Sequence, residues 1–254
     1  VVDDGSVDNT WKILKKIGFT NDETKQTPYR YIYQKNKGVS FTRNKLLDLS
    51  YSDYIWFVDS DDEIISSKLN KCLWWLEKYK PDLMTFYFLS RKGINISTND
   101  WLFKFGNFFS SSYENCPAYW FNYGGPYRHI FSRDLIRKNK IRFDENLFIG
   151  EDALFVANCL KQANNGIVFN EEFYIHDRNS IGSLSRPKKE KLLETFCTEM
   201  EAHNKILSLL KNNYLQQLLF IAQLYNYRMK RFDILNTNNK KALSLLNNIH
   251  QTLN

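Results

Sequence analysis

Short apolar runs alternate with helically spaced apolar residues along residues 1–89. This alternation predicts strands and helices in turn, which is the α/β pattern. The clearest strand is the unbroken apolar run Tyr54-Ile55-Trp56-Phe57-Val58, typical of a strand covered on both faces, as in a parallel sheet. The predicted strands are 1–2, 29–34, 54–58 and 83–89, and the predicted helices are 10–17, 40–49 and one between Ser67 and Pro81.

Beyond residue 92 the pattern is less regular. Residues 93–126 are rich in Asn, Ser, Gly and aromatic side chains, and a long irregular stretch in a compact domain is more often functional than idle. A short helix is predicted from Ser132, a longer one from Glu151, and a late strand over 167–176. The α/β pattern therefore continues through this late strand.

The composition is that of an ordinary folded protein. Of 254 residues, 43% are hydrophobic and 25% charged, with only 10 Gly and 5 Pro, which excludes disordered, collagen-like and low-complexity classes. The longest apolar runs are far shorter than the roughly 18 residues that cross a bilayer. The cysteines are too far apart to predict a zinc site or a dense disulfide framework, so we expect a reduced, cytoplasmic setting. They are Cys72, Cys116, Cys159 and Cys197.

The net charge of +7 is concentrated at one end of the chain. Residues 1–185 contain 24 Lys and Arg against 23 Asp and Glu, whereas residues 186–254 contain 11 against 5. Everything after Pro187 also has helical spacing. We therefore predict an α/β domain over residues 1–185, followed by a basic helical C-terminal extension over residues 186–254.

Two kinds of partner are compatible with this extension. Apolar residues on its helices predict packing against the domain or against a second subunit, as in a homodimer. Its basic residues predict contact with an anionic membrane surface, which would place the protein peripherally on the inner face of the cell membrane. The extension carries no recognisable nucleic-acid recognition motif, so we do not expect nucleic acid as a partner.

Two acidic clusters directly follow predicted strands. Asp3-Asp4 follows strand 1–2, and Asp59-Ser60-Asp61-Asp62 follows strand 54–58. If both strands belong to one sheet, the clusters meet at the carboxyl edge, where ligands bind in open α/β sheets. Carboxylates packed together need a compensating cation or donor. A hard divalent ion that also binds substrate phosphates suits them.

Each cluster also has a purely structural interpretation when it is taken alone. Asp-Asp-Gly-Ser is typical of a solvated turn, and Asp61 or Asp62 can simply favour the N-terminus of the following helix. The same holds for Glu151-Asp152 at the start of a predicted helix. The order and spacing of these pieces along the chain favour the functional interpretation.

Four segments, taken together, resemble a known family. They are residues 1–10, which contain Asp3-Asp4-Gly5-Ser6, residues 36–44, residues 54–62, and residues 143–155, which contain Gly150-Glu151-Asp152. They resemble the GT-A fold glycosyltransferases of family 2, and the resemblance covers roughly residues 1–185. It looks closest to bacterial enzymes that build capsular, lipo-oligosaccharide or other surface glycans. The resemblance implies a Rossmann-like domain that binds a nucleotide sugar.

The resemblance also implies which residues contact the nucleotide. Asp3 and Asp4 correspond to the positions that contact the uracil base and its ribose. Arg43 corresponds to the basic residue that approaches the nucleotide, and Asp59 lies near the ribose or a metal-bound water. Arg178 lies next to residues that resemble the family's segment closing over the diphosphate, and it is a candidate to neutralise that diphosphate.

A metal site and a general base are implied in the same way. Asp59-Ser60-Asp61 matches the metal-binding D-x-D motif, with Asp61 as the direct ligand and His176 as a candidate third ligand; an ordinary histidine is the alternative for His176. Asp152 matches the general base. Glu151 beside it is expected to orient the acceptor or support the loop.

The implied reaction inverts the anomeric centre in a single displacement. A nucleotide diphosphate sugar, with UDP-sugars favoured, gives its sugar to a hydroxyl of a glycan or lipid-linked acceptor, while Mn²⁺ or Mg²⁺ neutralises the leaving diphosphate. Sugars present apolar C–H faces to aromatic rings. We therefore expect the acceptor site among Trp120, Tyr123, Gly125 and Tyr127, although the alternative that these rings fill the core stays open.

Two other functions remain open from the sequence. Asp59-Ser60-Asp61 after a buried strand also resembles the nucleophile motif of haloacid-dehalogenase-type phosphatases, although that motif favours Thr or Val where this chain has Glu63. The other is a catalytically impaired protein of the same fold that binds glycans or acts as a scaffold. This second hypothesis arises because the family's first strand and helix, which have nucleotide contacts of their own, are expected upstream of Val1. A chain without them would have an incomplete sheet and an incomplete pocket for the base.

Overall fold

The computed structural model describes residues 1–21, 27–90, 108–110, 125–177 and 192–209. The helices are α1 (Thr10–Lys16), α2 (Val39–Leu49), α3 (Leu69–Tyr79), α4 (Arg133–Lys138), α5 (Glu151–Gln162) and α6 (Leu192–Leu209). The strands are β1 (Val2–Asp3), β2 (Ile32–Tyr33), β3 (Tyr54–Trp56), β4 (Glu63–Ile64), β5 (Leu83–Ser90), β6 (Phe108–Ser110), β7 (His129–Ser132) and β8 (Asn165–His176).

These strands form two sheets. Six belong to a mixed sheet in the order β3-β7-β5-β8-β4, with β6 also paired to β8. β5 and β8 run parallel, with Leu83 opposite Gly166, and the other pairs of this sheet are antiparallel. β1 and β2 form a separate parallel pair, with Val2 opposite Ile32.

Helices cover both faces of the large sheet, because successive residues of a strand point to opposite faces. Leu83 and Phe131 pack in one core cluster with α5 and α6, whereas Met84 and Ile130 pack in a second cluster with α3. The fold is therefore a three-layer α/β/α arrangement. It confirms the α/β class predicted from the alternating pattern.

One expectation for the sheet is wrong, and a condition stated for the acidic clusters is not met. The apolar run at 54–58 contributes β3, which pairs with β7 in the antiparallel direction. The run is apolar because Ile55 packs in the α5 cluster and Trp56 against the α3 cluster, so burial on both faces does not require a parallel sheet. In addition, β1 and β3 lie in different sheets, and helix α2 connects the two acidic clusters instead.

Helix α6 belongs to the segment predicted as the C-terminal extension, yet it packs in the core of the α/β domain. Its side chains in the α5 core cluster are Met200, Ala202, Ile206 and Leu207. Residues 210–254 lie outside the described residues, so the division at residue 185 stays a prediction. Among the described helices, none is long and apolar enough to cross a membrane.

Candidate active site

Asp3 at the end of β1 is buried and fully engaged by protein donors. The hydroxyl of Tyr31 donates to Oδ2 at 2.6 Å, and the backbone N–H of Ser6 donates to Oδ1 at 2.8 Å. Burial alone would raise the pKa of Asp3, but these hydrogen bonds outweigh it and hold the pKa below its usual value. Asp3 thus secures the turn after β1 as an ionised carboxylate.

Asp4 ties the same turn to the start of α2. Its carboxylate accepts from the backbone N–H groups of Lys37 and Gly38 and from Nε2 of Gln34, each at 2.8 Å. Burial opposes ionisation, but these donors lower the pKa of Asp4. The carboxylate satisfies donors beside a helix start, where the helix dipole also favours negative charge. The nucleotide contacts of Asp3 and Asp4 stay predictions.

Arg43 lies on α2, about 7.5 Å along the helix axis from Gly38. Its Nη2 contacts Oδ1 of Asp59 at 3.3 Å and its Nη1 contacts Oε1 of Glu151 at 3.2 Å. The guanidinium also lies over the ring of Phe143, 5.4 Å from the centroid, and its side chain is 13% exposed. Arg43 therefore brings together two acidic segments separated by more than 90 residues of sequence.

The turn after β3 is held by Asp62. Its side chain has no solvent exposure and accepts from the hydroxyl of Tyr174 at 2.6 Å, from Nδ1 of His176 at 3.1 Å and from the backbone N–H of Asp177 at 2.7 Å. The hydroxyl of Tyr174 in turn accepts from the backbone N–H of Asp59 at 3.1 Å. β8 thus fixes both ends of the turn.

Asp61 projects from this anchored turn toward solvent. It is exposed, and Asp59 is partly exposed. No group of three or more potential ligands among His, Cys, Asp and Glu surrounds a metal position within the described residues. The donor set nevertheless fits Mg²⁺ or Mn²⁺, because Mg²⁺ in particular is commonly bound through one or two carboxylates, waters and substrate phosphates. A metal bound by His176 would use Nε2, since Nδ1 faces Asp62.

The candidate base lies at the first turn of α5. Burial and the neighbouring Asp152 raise the pKa of Glu151 to about 7, although Arg43 opposes the shift. Burial also raises the pKa of Asp152; Arg43 opposes this change, and Asp59 adds to it. Asp152 is partly exposed while Glu151 is 7% exposed. Glu151 is tied to Arg43 by the ion pair, and Oδ1 of Asp152 accepts the backbone N–H of Ala153 at 2.7 Å.

The loop before α5 is clamped from two sides. Asn44 of α2 donates to the carbonyl of Phe143 at 3.0 Å and accepts from its N–H at 2.9 Å, and Lys205 of α6 donates to Asp144 at 2.7 Å. Gly150 has a φ of +86°, and a Cβ there would lie 2.6 Å from the Cβ of Ala202. Only glycine fits both the conformation and the space.

A stack of rings lies beside the anchored turn. The ring of Tyr127 stacks on His176 at 4.9 Å and on Tyr174 at 5.2 Å between centroids. A Cβ on Gly125 would lie 2.3 Å from the Tyr127 ring, so the absence of a side chain at Gly125 makes room for this stack. The acceptor role of Gly125 stays a prediction, as does metal binding by His176.

Three sequence-predicted site residues, Arg178, Trp120 and Tyr123, lie outside the described residues. The structure brings together Arg43, Asp59, Glu151 and Asp152. Sequence reasoning missed the anchoring roles of Asp62 and Tyr174. The available signal was the spacing of Tyr174 and His176, which places both side chains on one face of a strand.

Comparisons with known proteins bear on the family and the fold of this chain. A family model described as Glycosyl transferase family 2 matches residues 1–139. A cholesterol galactosyltransferase of Borreliella burgdorferi is 27% identical over 244 residues, covering 87% of this chain and 65% of that protein. The poly(ribitol-phosphate) beta-N-acetylglucosaminyltransferase TarP of Staphylococcus aureus is 27% identical over 192 residues, covering 73% and 55%. The chain spans between 26% and 65% of the length of the curated relatives it matches.

A solved structure has a similar fold. The crystal structure of S. aureus TarS residues 1–349 in complex with UDP-GlcNAc superposes with a TM-score of 0.81 at 19% sequence identity, covering 100% of this chain and 72% of that one. This likeness establishes the fold. The GT-A fold predicted from the sequence is confirmed.

Proposed function

The chain belongs to glycosyl transferase family 2, and from this premise we propose that it is a metal-dependent, inverting glycosyltransferase. Its substrates are a UDP-sugar and a hydroxyl of a glycan or lipid-linked acceptor. The bridge that Arg43 makes between Asp59 and Glu151 carries this proposal. It joins the turn that would face the donor diphosphate to the turn that would face the acceptor.

Asp152 is the general base in this proposal. Its carboxylate takes the proton of the acceptor hydroxyl as that oxygen attacks the anomeric carbon, the bond to the diphosphate oxygen breaks, and UDP leaves. The raised pKa of Asp152 makes it a stronger base than an ordinary aspartate. Glu151 holds the turn through its ion pair with Arg43, so the role of base is proposed for Asp152 beside it.

Asp61 and Asp59 would hold a Mn²⁺ or Mg²⁺ ion together with diphosphate oxygens. When bound, the ion neutralises the charge that develops on the leaving UDP. The hydrogen bonds from Tyr174 and the Asp177 N–H to Asp62 keep this turn in place. His176 is proposed as a further ligand, and Arg178 as a diphosphate contact.

The donor and acceptor classes rest on different support. A UDP-sugar is favoured because the TarS structure, of the same fold, was solved in complex with UDP-GlcNAc. The TarP and cholesterol galactosyltransferase relatives are named for a polymer and a lipid acceptor, and we propose an acceptor of bacterial surface polysaccharide synthesis. Trp120, Tyr123 and Gly125 are proposed to contact it.

The C-terminal segment is proposed to hold the protein at its site of action. Helix α6 carries Glu194, Glu199 and Glu201 against Lys205, so the basic excess of residues 186–254 comes from the rest of that segment. Those basic residues would contact an anionic membrane on its cytoplasmic face. Packing into a homodimer is the competing role of the same segment.

Release of UDP from a panel of UDP-sugars tests the proposal. We expect turnover with Mn²⁺ or Mg²⁺, no turnover with chelator, and stimulation by an acceptor polymer or lipid. Hydrolysis of p-nitrophenyl phosphate without nucleotide-sugar turnover would instead support the phosphatase hypothesis. Absence of both activities, with UDP raising the melting temperature, would support a binding protein of this fold.

A further inference from the structure

Helix α3 exposes two large apolar side chains. Cys72 and Leu76 face the sheet and are 2% and 6% exposed, while Leu73 and Trp74 are 55% and 51% exposed. Adjacent exposed apolar residues mark interaction sites more often than isolated ones do. α3 packs against the sheet face opposite α5, so this pair lies away from the helix that carries Glu151 and Asp152.

Packing holds the Trp74 ring in its outward position. Its centroid lies 5.9 Å from that of Trp75 and 6.5 Å from that of Tyr79, both in edge-to-face geometry. Trp75 and Tyr79 are partly buried against the core cluster beneath α3. The exposed indole is therefore fixed by ring contacts that connect it to the core.

Lysines border the same pair. Lys71, Lys78 and Lys80 are exposed, and the nearby exposed acid of α3 is Glu77. The ammonium of Lys78 lies 4.5 Å from the Trp74 ring centroid, so positive charge and apolar surface occupy one place. We call this set the α3 surface; it comprises Lys71, Leu73, Trp74, Lys78 and Lys80.

We propose that the α3 surface docks the protein on an anionic lipid bilayer. Leu73 and Trp74 enter the interfacial region, where the amphipathic indole of Trp is favoured. The lysine stems lie along the surface while their ammonium groups contact lipid phosphates. Charge complementarity selects this occupant, because three lysines beside one glutamate favour a negatively charged surface. This inference does not rest on the proposed enzymatic function or on the C-terminal segment.

Helix α1 offers a matched control on the same chain. Ile13 on this helix and Ile17 directly after it are 59% and 64% exposed, beside Lys12, Lys15 and Lys16. Trp11 stacks on Tyr31 at 4.5 Å and so is not presented as Trp74 is. If three lysines and two exposed aliphatic residues were sufficient for membrane contact, α1 would serve equally well.

Co-sedimentation with phosphatidylcholine vesicles of increasing phosphatidylglycerol content tests the proposal. We expect the wild type to bind as lipid charge rises and to dissociate as salt rises. Lys71→Glu/Lys78→Glu/Lys80→Glu should weaken the partition coefficient by about 10²-fold or more, since losing each lysine near such a surface costs about fivefold and the new glutamates are repelled by it. Leu73→Ser/Trp74→Ser should weaken it by about tenfold. Each variant's melting temperature and circular dichroism are compared with the wild type to confirm folding.

A conservative variant locates the contact. Trp74→Phe should retain most of the binding but lose most of the fluorescence quenching that brominated lipids cause in the wild type. The charge reversals Lys12→Glu/Lys15→Glu/Lys16→Glu on α1 should change binding much less than those on α3. If the α1 and α3 charge reversals weaken vesicle binding equally, binding depends only on the net charge of the protein, and the proposal is overturned.

Two further outcomes would overturn it. One is that Arg228→Glu/Lys230→Glu/Arg231→Glu in the C-terminal segment abolishes vesicle binding while the α3 variants bind as the wild type does. The other is no vesicle binding by a wild type that sediments as a dimer, with Leu73→Ser/Trp74→Ser shifting it to monomer. That result would assign the α3 surface to a second copy of the chain.

Discussion

The hydroxyl of Tyr174 lies 2.6 Å from Oδ2 of Asp62 and at the same time accepts the backbone N–H of Asp59. One phenol on β8 thus fixes both ends of the turn that carries Asp61. Burial and the hydrogen bond to Asp62 raise the pKa of Tyr174, which keeps the phenol protonated as the donor this contact requires.

Tyr174→Phe should lower the free energy of unfolding by about 1–3 kcal/mol, because a buried carboxylate loses a donor without any change in core volume. If the turn binds the UDP-sugar, the KM for this substrate should rise by a larger factor than kcat falls. Denaturant titration and steady-state kinetics measure both. Tyr51→Phe, at a 67% exposed position, is the control. Unchanged stability and KM would show that the turn is held by other contacts.

Asp61→Asn should reduce metal-dependent turnover by about 10²-fold or more, since one hard anionic ligand is lost. The melting temperature should stay close to that of the wild type, because Asp61 is exposed. Asp53→Asn, at another exposed position, makes the same charge change as a control. Equal activity of wild type and Asp61→Asn across a Mn²⁺ titration would exclude Asp61 as a ligand.

Asp152→Asn should lower kcat by about 10²–10⁴-fold while UDP binding stays nearly unchanged, since only the proton acceptor is removed. In the wild type, kcat/KM should fall as pH drops through the raised pKa of Asp152, so the acid limb lies above the range of an ordinary aspartate. A loss of UDP affinity with kcat preserved would make Asp152 a nucleotide contact instead.

Glu151→Gln should change how stability depends on pH. The folded-state pKa of Glu151 is raised to about 7, so the folded protein holds a proton that the unfolded chain releases, and wild-type stability falls as pH rises through this window. The neutral variant should avoid this loss, a difference of about 1–3 kcal/mol between about pH 5 and about pH 8.

Denaturant titrations across that range measure the difference. Glu77→Gln on α3, where the carboxylate is exposed, should leave the wild-type slope unchanged. Parallel pH profiles for wild type and Glu151→Gln would mean that Glu151 titrates alike in the folded and unfolded states.

Gly150→Ala should destabilise the protein by about 2–4 kcal/mol and lower turnover, because it combines a positive φ with overlap against Ala202. Gly18→Ala is the matched control: its φ is +98° with nothing within 4 Å of the added Cβ, so it measures the dihedral cost alone. Adding Ala202→Gly to Gly150→Ala removes the overlapping Cβ, so it should restore the part of the lost stability that exceeds the dihedral cost. If Ala202→Gly restores no stability, α6 moves aside for the new Cβ without any loss of unfolding free energy.

The sequence by itself determined the α/β class and the local setting of each acidic segment. Apolar periodicity depends on which side chains become buried, so it predicted β3, α2, α3 and α5 near their observed bounds. Likewise, the acids after 54–58 and at the start of α5 were recognisable because a strand end and a helix start are local features.

Only the tertiary structure decided strand direction, the partners of each charge and the position of α6. Burial on both faces of β3 leaves its direction open, since antiparallel and parallel neighbours can cover it equally well. The contacts of Arg43 with Asp59 and Glu151, and of Tyr174 with Asp62, join residues 16 to 112 positions apart. Such pairings depend on how the helices pack on the sheet, and a local sequence pattern does not show which distant residues will come into contact.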